Sequence, residues 1–91
     1  MNILFSKTAW EQYLYWQKED SKITDRIHEL LKSIQRDPFK GIGKPEALRQ
    51  SLKGYWSRRI DSEHRLVYRI TGKQDLGQRI EVLSCRFHYS K

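Results

Sequence analysis

Glu46, His88 and Tyr89, together with Arg59, Arg65, Arg69 and Arg86, are the side chains of this sequence whose types suit phosphodiester cleavage. RNA carries its own nucleophile, the 2′-hydroxyl. A protein has only to supply a base that deprotonates it, an acid that protonates the leaving 5′-oxygen, and cations for the crowded phosphorane. Glu46 is a candidate base. His88 is a candidate acid, because an imidazole can give up a proton near neutrality. Tyr89 adds a neighbouring hydroxyl, and the four arginines are candidate phosphate clamps. Each residue also has a plainer use. Glu46 suits the first turn of a short helix, where the dipole would lower its pKa and weaken it as a base, and His88 suits the surface end of a strand. Residue types therefore leave open both a nuclease and a module that merely binds RNA or an acidic partner.

Other chemistries find less support. Cys85 and His88 form one C-x-x-H pair, and with His28 and His64 isolated no second pair completes a zinc site. Cys85 alternates with Leu83 and Phe87 and reads as a small buried hydrophobe. The stretch Gly41-Ile42-Gly43-Lys44-Pro45 has neither the spacing of a phosphate loop nor the third glycine of a dinucleotide fingerprint, and no nucleophile-elbow motif is present. No cofactor is implied.

The charge distribution names a class of partner. Residues 1–39 hold six Lys/Arg and six Asp/Glu, whereas residues 40–91 hold twelve and five, so the whole net charge of +7 lies in the second part. Such asymmetry marks a surface that meets polyanions, with solubility as the bland alternative. At 91 residues, 37% hydrophobic and 32% charged, the chain is expected to form one domain over 1–91 with one small core. No run approaches the roughly 20 apolar residues that span a bilayer. With a single cysteine and no secretory pattern at the start, a reducing cytoplasm is the expected location.

The elements that must carry these residues follow from periodicity. Ile3-Leu4-Phe5 is a short strand candidate. Ser6 can cap a first helix whose stripe is Trp10, Tyr13, Leu14 and Gln17, with Trp16 at its edge. Asp20 or Ser21 can cap a second, lined by Ile23, Ile27, Leu30, Leu31 and Ile34 and stopped by Asp37-Pro38; His28 lies beside that stripe, in solvent. A Gly- and Lys-rich loop then leads into a short helical turn with Pro45 first and Glu46 in its first turn. Alternation predicts strands over 55–60, 65–70 and 80–89, with a polar loop over 71–79. Arg65, Val67 and Arg69 share one strand face, and Arg86 and His88 a side opposite Cys85, Phe87 and Tyr89. The fold class is α+β: a helical hairpin on the apolar face of a small antiparallel sheet whose other face is open and basic.

Trp10 to Gln17, the segment Pro38 to Leu48, Trp56-Ser57-Arg58-Arg59-Ile60, Glu63-His64-Arg65-Leu66-Val67-Tyr68 and the ending Cys85-Arg86-Phe87-His88-Tyr89 together resemble the YoeB toxins of the RelE/ParE toxin-antitoxin superfamily. The resemblance covers nearly the whole chain in order. It implies a ribosome-dependent messenger-RNA endonuclease that uses no metal, cuts in the decoding site by 2′-hydroxyl attack and leaves a 2′,3′-cyclic phosphate. It implies Glu46 as general base, His88 as general acid, Arg65 as transition-state cation, Tyr89 completing the site and Arg59 supporting it. Arg49 stands where the family has a basic residue for RNA, and Lys53, in the same loosely patterned segment, suits docking beside it. The implied fold is RelE-like, the microbial ribonuclease type, and the implied assembly a homodimer inhibited by an acidic YefM-like antitoxin. A ParE-like gyrase inhibitor shares that fold and is the alternative. Ser90 and Lys91 follow the family's final His-Tyr pair, and the 71–79 loop is expected to be longer than the family's tight hairpin.

Overall fold

Ser6 turns the chain from its first strand into its first helix. Its Oγ accepts from the Ala9 N–H at 2.9 Å, capping the helix, and donates to the Leu83 carbonyl at 2.8 Å, tying that helix start to the last strand. The computed structural model describes residues 1–73 and 76–88. Its elements are β1 (Asn2–Phe5), α1 (Lys7–Glu19), α2 (Ser21–Arg36), β2 (Glu46–Ala47), a 3₁₀ turn (Gln50–Leu52), β3 (Trp56–Arg59), β4 (Arg65–Lys73) and β5 (Leu76–Ser84). Asp20 alone joins the helices. Its N–H closes α1 on the Trp16 carbonyl at 2.8 Å, and its carboxylate accepts from the Lys22 and Ile23 N–H groups at the start of α2. Asp37 ends α2 as expected.

The fold is α+β, with two helices on one face of a five-stranded sheet ordered β1-β5-β4-β3-β2. The sheet is mixed rather than wholly antiparallel. β3, β4 and β5 form the expected meander, but β1 runs parallel to β5, Ile3 opposite Ile80. Ile27, Leu30 and Ile34 of α2 meet Leu66, Tyr68, Ile80 and Val82 of the sheet in the core. Such burial contributes about 1.5–3 kcal/mol per large apolar side chain.

Four local expectations are corrected. The buried face of α1 is Ala9 and Trp16, while Trp10 and Leu14 are 48% and 44% exposed. Ala9, having nothing beyond Cβ, lets the helix settle close to the sheet, and the Trp16 indole N–H reaches the Cys85 carbonyl at 2.8 Å. Residues 45–47 are not helical: Glu46 and Ala47 pair with Ser57 and Trp56 as an edge strand, and the helical turn comes later, at Gln50–Leu52. Residues 71–73 and 76–79 are strand rather than loop, because β4 runs to Lys73 and β5 begins at Leu76. Finally, β5 stops at Ser84, and residues 85–88 leave the sheet.

Two carboxylates make this fold acid-sensitive. Glu81 is held below its ordinary 4.5 by hydrogen bonds from Arg69, first, and Arg79. Burial would raise Asp61, yet the backbone N–H groups of His64 and Glu63 hold it below 3.8. The unfolded chain therefore binds these protons first on acidification, so stability is constant above the ordinary values and falls as pH drops through the lowered ones. Urea midpoints measured between about pH 3 and 6 should show that fall, and Glu81→Gln should flatten it. An unchanged slope in the variant would show that the Glu81 cluster is not responsible.

Candidate active site

The sheet register aligns the proposed base with the open face. Glu46 stands opposite Ser57, Ser57 opposite Val67, and Val67 opposite Ser84. With strands about 4.8 Å apart, Glu46 and Val67 are separated by about 10 Å across β3. Glu46 is exposed on an edge strand, so the helix-dipole objection to it as a base no longer applies. A β-bulge at Leu83, between Val67↔Ser84 and Tyr68↔Val82, bends β5 at this point. Beside the bulge lies an open groove of 490 Å³ lined by Leu52, Val67, Ser84, Arg86, Phe87 and His88, with Lys7 and Thr8 at the start of α1.

Arg65 lies at the start of β4, two residues from Val67 on the same face. It is buried, and its Nη1 donates to the carbonyls of Asp61 and His64 at 2.9 and 3.1 Å. Those bonds orient the guanidinium and leave the donors on Nε and Nη2 outside them. Arg59 stands directly opposite Arg65 on β3 and is exposed. Like charges facing each other across a strand pair are destabilising by themselves, which is the arrangement expected where an anion sits.

The remaining candidates divide. Arg49 and Lys53 flank the 3₁₀ turn that carries groove-lining Leu52, and both are exposed. Arg69 is taken by Glu81, Nε to Oε1 at 2.8 Å, and lies over the Tyr55 ring in a separate groove of 230 Å³. Arg86 does not share a strand side with His88, since the strand has ended. Its guanidinium is 3.7 Å from the Tyr15 ring centroid and 4.5 Å from that of Phe87, with Nε buried and without a hydrogen-bond partner. His88 is exposed at the groove. Tyr89, Ser90 and Lys91 lie outside the described residues.

The segment bearing His88 is strapped down by four hydrogen bonds. The Cys85 N–H donates to Gln12 Oε1 at 2.7 Å, and the Cys85 carbonyl accepts from Trp16. The Phe87 N–H donates to His64 Nδ1 at 2.7 Å, and the Phe87 carbonyl accepts from the Arg65 N–H at 3.1 Å. Phe87 is left-handed, with φ 67°, a conformation costing a bulky residue about 1–3 kcal/mol that surrounding contacts must offset. Cys85 is a core thiol, pushed up to about 12 by burial.

Two residues here escaped the sequence reading. Arg58 is fully buried and donates to Tyr68 Oη, Ser33 Oγ and the carbonyls of Asp37, Lys40 and Ile42, clamping the 37–43 loop that leads to Glu46. Burial raises the Tyr68 phenol, whose hydroxyl donates to the Pro38 carbonyl in turn. Strand alternation carried a signal for Arg58, opposite core Leu66. His64, regarded as isolated, has no local signal, because its partner Phe87 lies 23 residues away. Among the described residues no group of three or more His, Cys, Asp or Glu could hold a metal ion, and no helix is long and apolar enough to cross a membrane.

Comparison with known proteins agrees with this architecture. Residues 5–89 match the family model of the YoeB-like toxin of bacterial type II toxin-antitoxin system. Toxin YoeB of Synechocystis is 53% identical over 100% of both chains. Among solved structures, the YoeB/ParE toxin from Agrobacterium tumefaciens is 46% identical with a TM-score of 0.93, over 98% of this chain and 100% of that one. A heterotetrameric YoeB-YefM complex and a YoeB dimer, both from Staphylococcus aureus, give 49% and 50% identity and TM-scores of 0.86 and 0.85, over 98% of each chain. Matched along almost its entire length in both sequence and fold, the chain belongs to the YoeB-like toxins of bacterial type II toxin-antitoxin systems.

Proposed function

We propose that this toxin is a metal-independent endoribonuclease that cuts messenger RNA in the decoding site of the ribosome and so stops translation. The observation that carries this reading is the grouping on the open face. Glu46 is in register with groove-lining Val67, the Arg59–Arg65 pair is alongside, and the strapped 85–88 segment brings His88 to the same groove. In the reaction, the Glu46 carboxylate takes the proton of a 2′-hydroxyl as that oxygen attacks the adjacent phosphorus. Arg65, with Arg59 opposite, offsets the charge growing on the phosphorane oxygens. The imidazolium of His88 gives its proton to the departing 5′-oxygen, leaving a 2′,3′-cyclic phosphate. Tyr89, which follows His88 in sequence, is assigned to the reaction on the family resemblance, and Arg49 and Lys53 dock the RNA backbone.

The ribosome is needed because 2′-attack requires an in-line geometry that an open groove with an exposed carboxylate does not impose on flexible RNA. The basic second part of the chain suits an acidic YefM-like antitoxin, and the Staphylococcus aureus complex and dimer support both that partner and a homodimer. Primer extension on programmed ribosomes, on naked message and a parallel gyrase supercoiling assay test the proposal together. Cleavage confined to ribosome-bound message, with gyrase unaffected, is the expected result. Equal rates on naked RNA would remove the ribosome from the mechanism, and gyrase inhibition without cleavage would replace it with a ParE-like activity.

A further inference from the structure

We propose that His64 is a positioning residue for His88, acting through the backbone of Phe87. The Phe87 N–H can only donate, so the 2.7 Å bond makes His64 Nδ1 the acceptor and leaves the proton of the neutral ring on Nε2, toward Glu63 Oε1 at 3.8 Å. His64 is itself fixed from several sides. Its N–H donates to Asp61 Oδ1 at 2.7 Å, its carbonyl accepts from the Ile60 N–H and from Arg65 Nη1, and its ring meets the edge of buried Trp16 at 4.8 Å. It is therefore a rigid acceptor. The residue it holds is the left-handed one immediately before His88, where the chain has already left β5 and the Arg65 N–H still ties the Phe87 carbonyl to β4.

The same turn fixes the cation. The His64 carbonyl orients the Arg65 guanidinium while the His64 ring holds Phe87, whose carbonyl accepts from the Arg65 N–H. Through its ring and its carbonyl, His64 thus links the segment bearing the proposed acid to the proposed transition-state cation. Without the Nδ1 acceptor, the N–H of Phe87 loses its partner, the left-handed turn loses part of what holds it, and the His88 imidazole samples other positions. The kinetic part of this proposal rests on the nuclease reading; the structural part does not.

The test separates ring from acceptor. His64→Phe keeps an aromatic ring against Trp16 without an acceptor, whereas His64→Asn keeps an acceptor oxygen near the Nδ1 position without the ring. Amide exchange at Phe87 should accelerate by about tenfold or more in His64→Phe and stay slow in His64→Asn. Single-turnover cleavage at saturating ribosome should fall by about 10- to 100-fold in His64→Phe with ribosome affinity unchanged, and His64→Asn should restore most of it. In a His88→Ala background, His64→Phe should cost nothing further. Should His64→Phe fail to fold, ligating an 85–91 peptide at Cys85 with an ester at residue 87 removes the N–H donor and leaves His64 intact, with the same loss expected. Unchanged exchange at Phe87 in His64→Phe, a full rate for the ester, or an equal loss with and without His88 would overturn the proposal. Absence of cleavage by the wild type would sink the nuclease reading instead, and the exchange measurement would still decide whether His64 holds the segment.

Discussion

Glu46→Ala is expected to lower single-turnover cleavage of ribosome-bound message by about 10² to 10⁴, the range for loss of a positioned proton-transfer group, and His88→Ala by a similar factor. Ribosome affinity should change little in either. Glu46 is exposed on a two-residue edge strand that ends the sheet, so its removal leaves no buried group without a partner and no cavity. A rate loss at unchanged stability would thus report chemistry rather than folding. Near-normal cleavage by Glu46→Ala would reduce that residue to a surface carboxylate. Retained activity in His88→Ala would mean that protonation of the leaving oxygen does not limit the rate or comes from another group.

Arg58→Leu is expected to destabilise the fold by about 3–5 kcal/mol, against a total of about 5–14 kcal/mol for a chain of this length. The guanidinium, itself fully buried, donates to five oxygens, all of them neutral, two in the interior and three on the part-buried loop. Leucine would fill part of the space and serve none of them. Arg58→Lys keeps the charge but not the planar fork, so an intermediate loss is expected. Gly43 leaves no room for rearrangement: at φ 84°, a Cβ there would come within 2.7 Å of Leu30 and 3.1 Å of the Arg58 Cβ. Urea unfolding of both variants checks this, and a loss under about 1 kcal/mol for Arg58→Leu would show that the loop finds other donors.

How far the sequence revealed the molecule depended on the range of the forces involved. Helix α2 was legible because its stripe, its Asp20 cap and its Asp37-Pro38 stop are all local. Strands β3 and β4 were legible from alternation. The face of α1 was misjudged because large residues dominate a periodicity count, whereas the sheet selected small Ala9. Glu46 was given to a helix because a two-residue strand exists only through its pairing with β3. In the site, alternation put Arg65 and Arg69 on one strand face, but it could not show that Arg59 stands opposite Arg65 or that Arg69 is Glu81's partner. The path of residues 85–88 is set by Gln12, Trp16 and His64, none of them a sequence neighbour.

The parallel pairing of β1 with β5 has a consequence for how the toxin comes into being. Asn2 lies opposite Arg79, so β1 has no sheet partner until β5 has been made. The groove has the same requirement, since it is lined by Lys7 and Thr8 together with Ser84, Arg86, Phe87 and His88. While the chain is growing, helices α1 and α2 can form from contacts within their own hairpin, but the sheet edge that organises the groove has no partner to close against. Assembly of the groove is thereby deferred until β5 and the segment after it have been made and can meet the β1–α1 region.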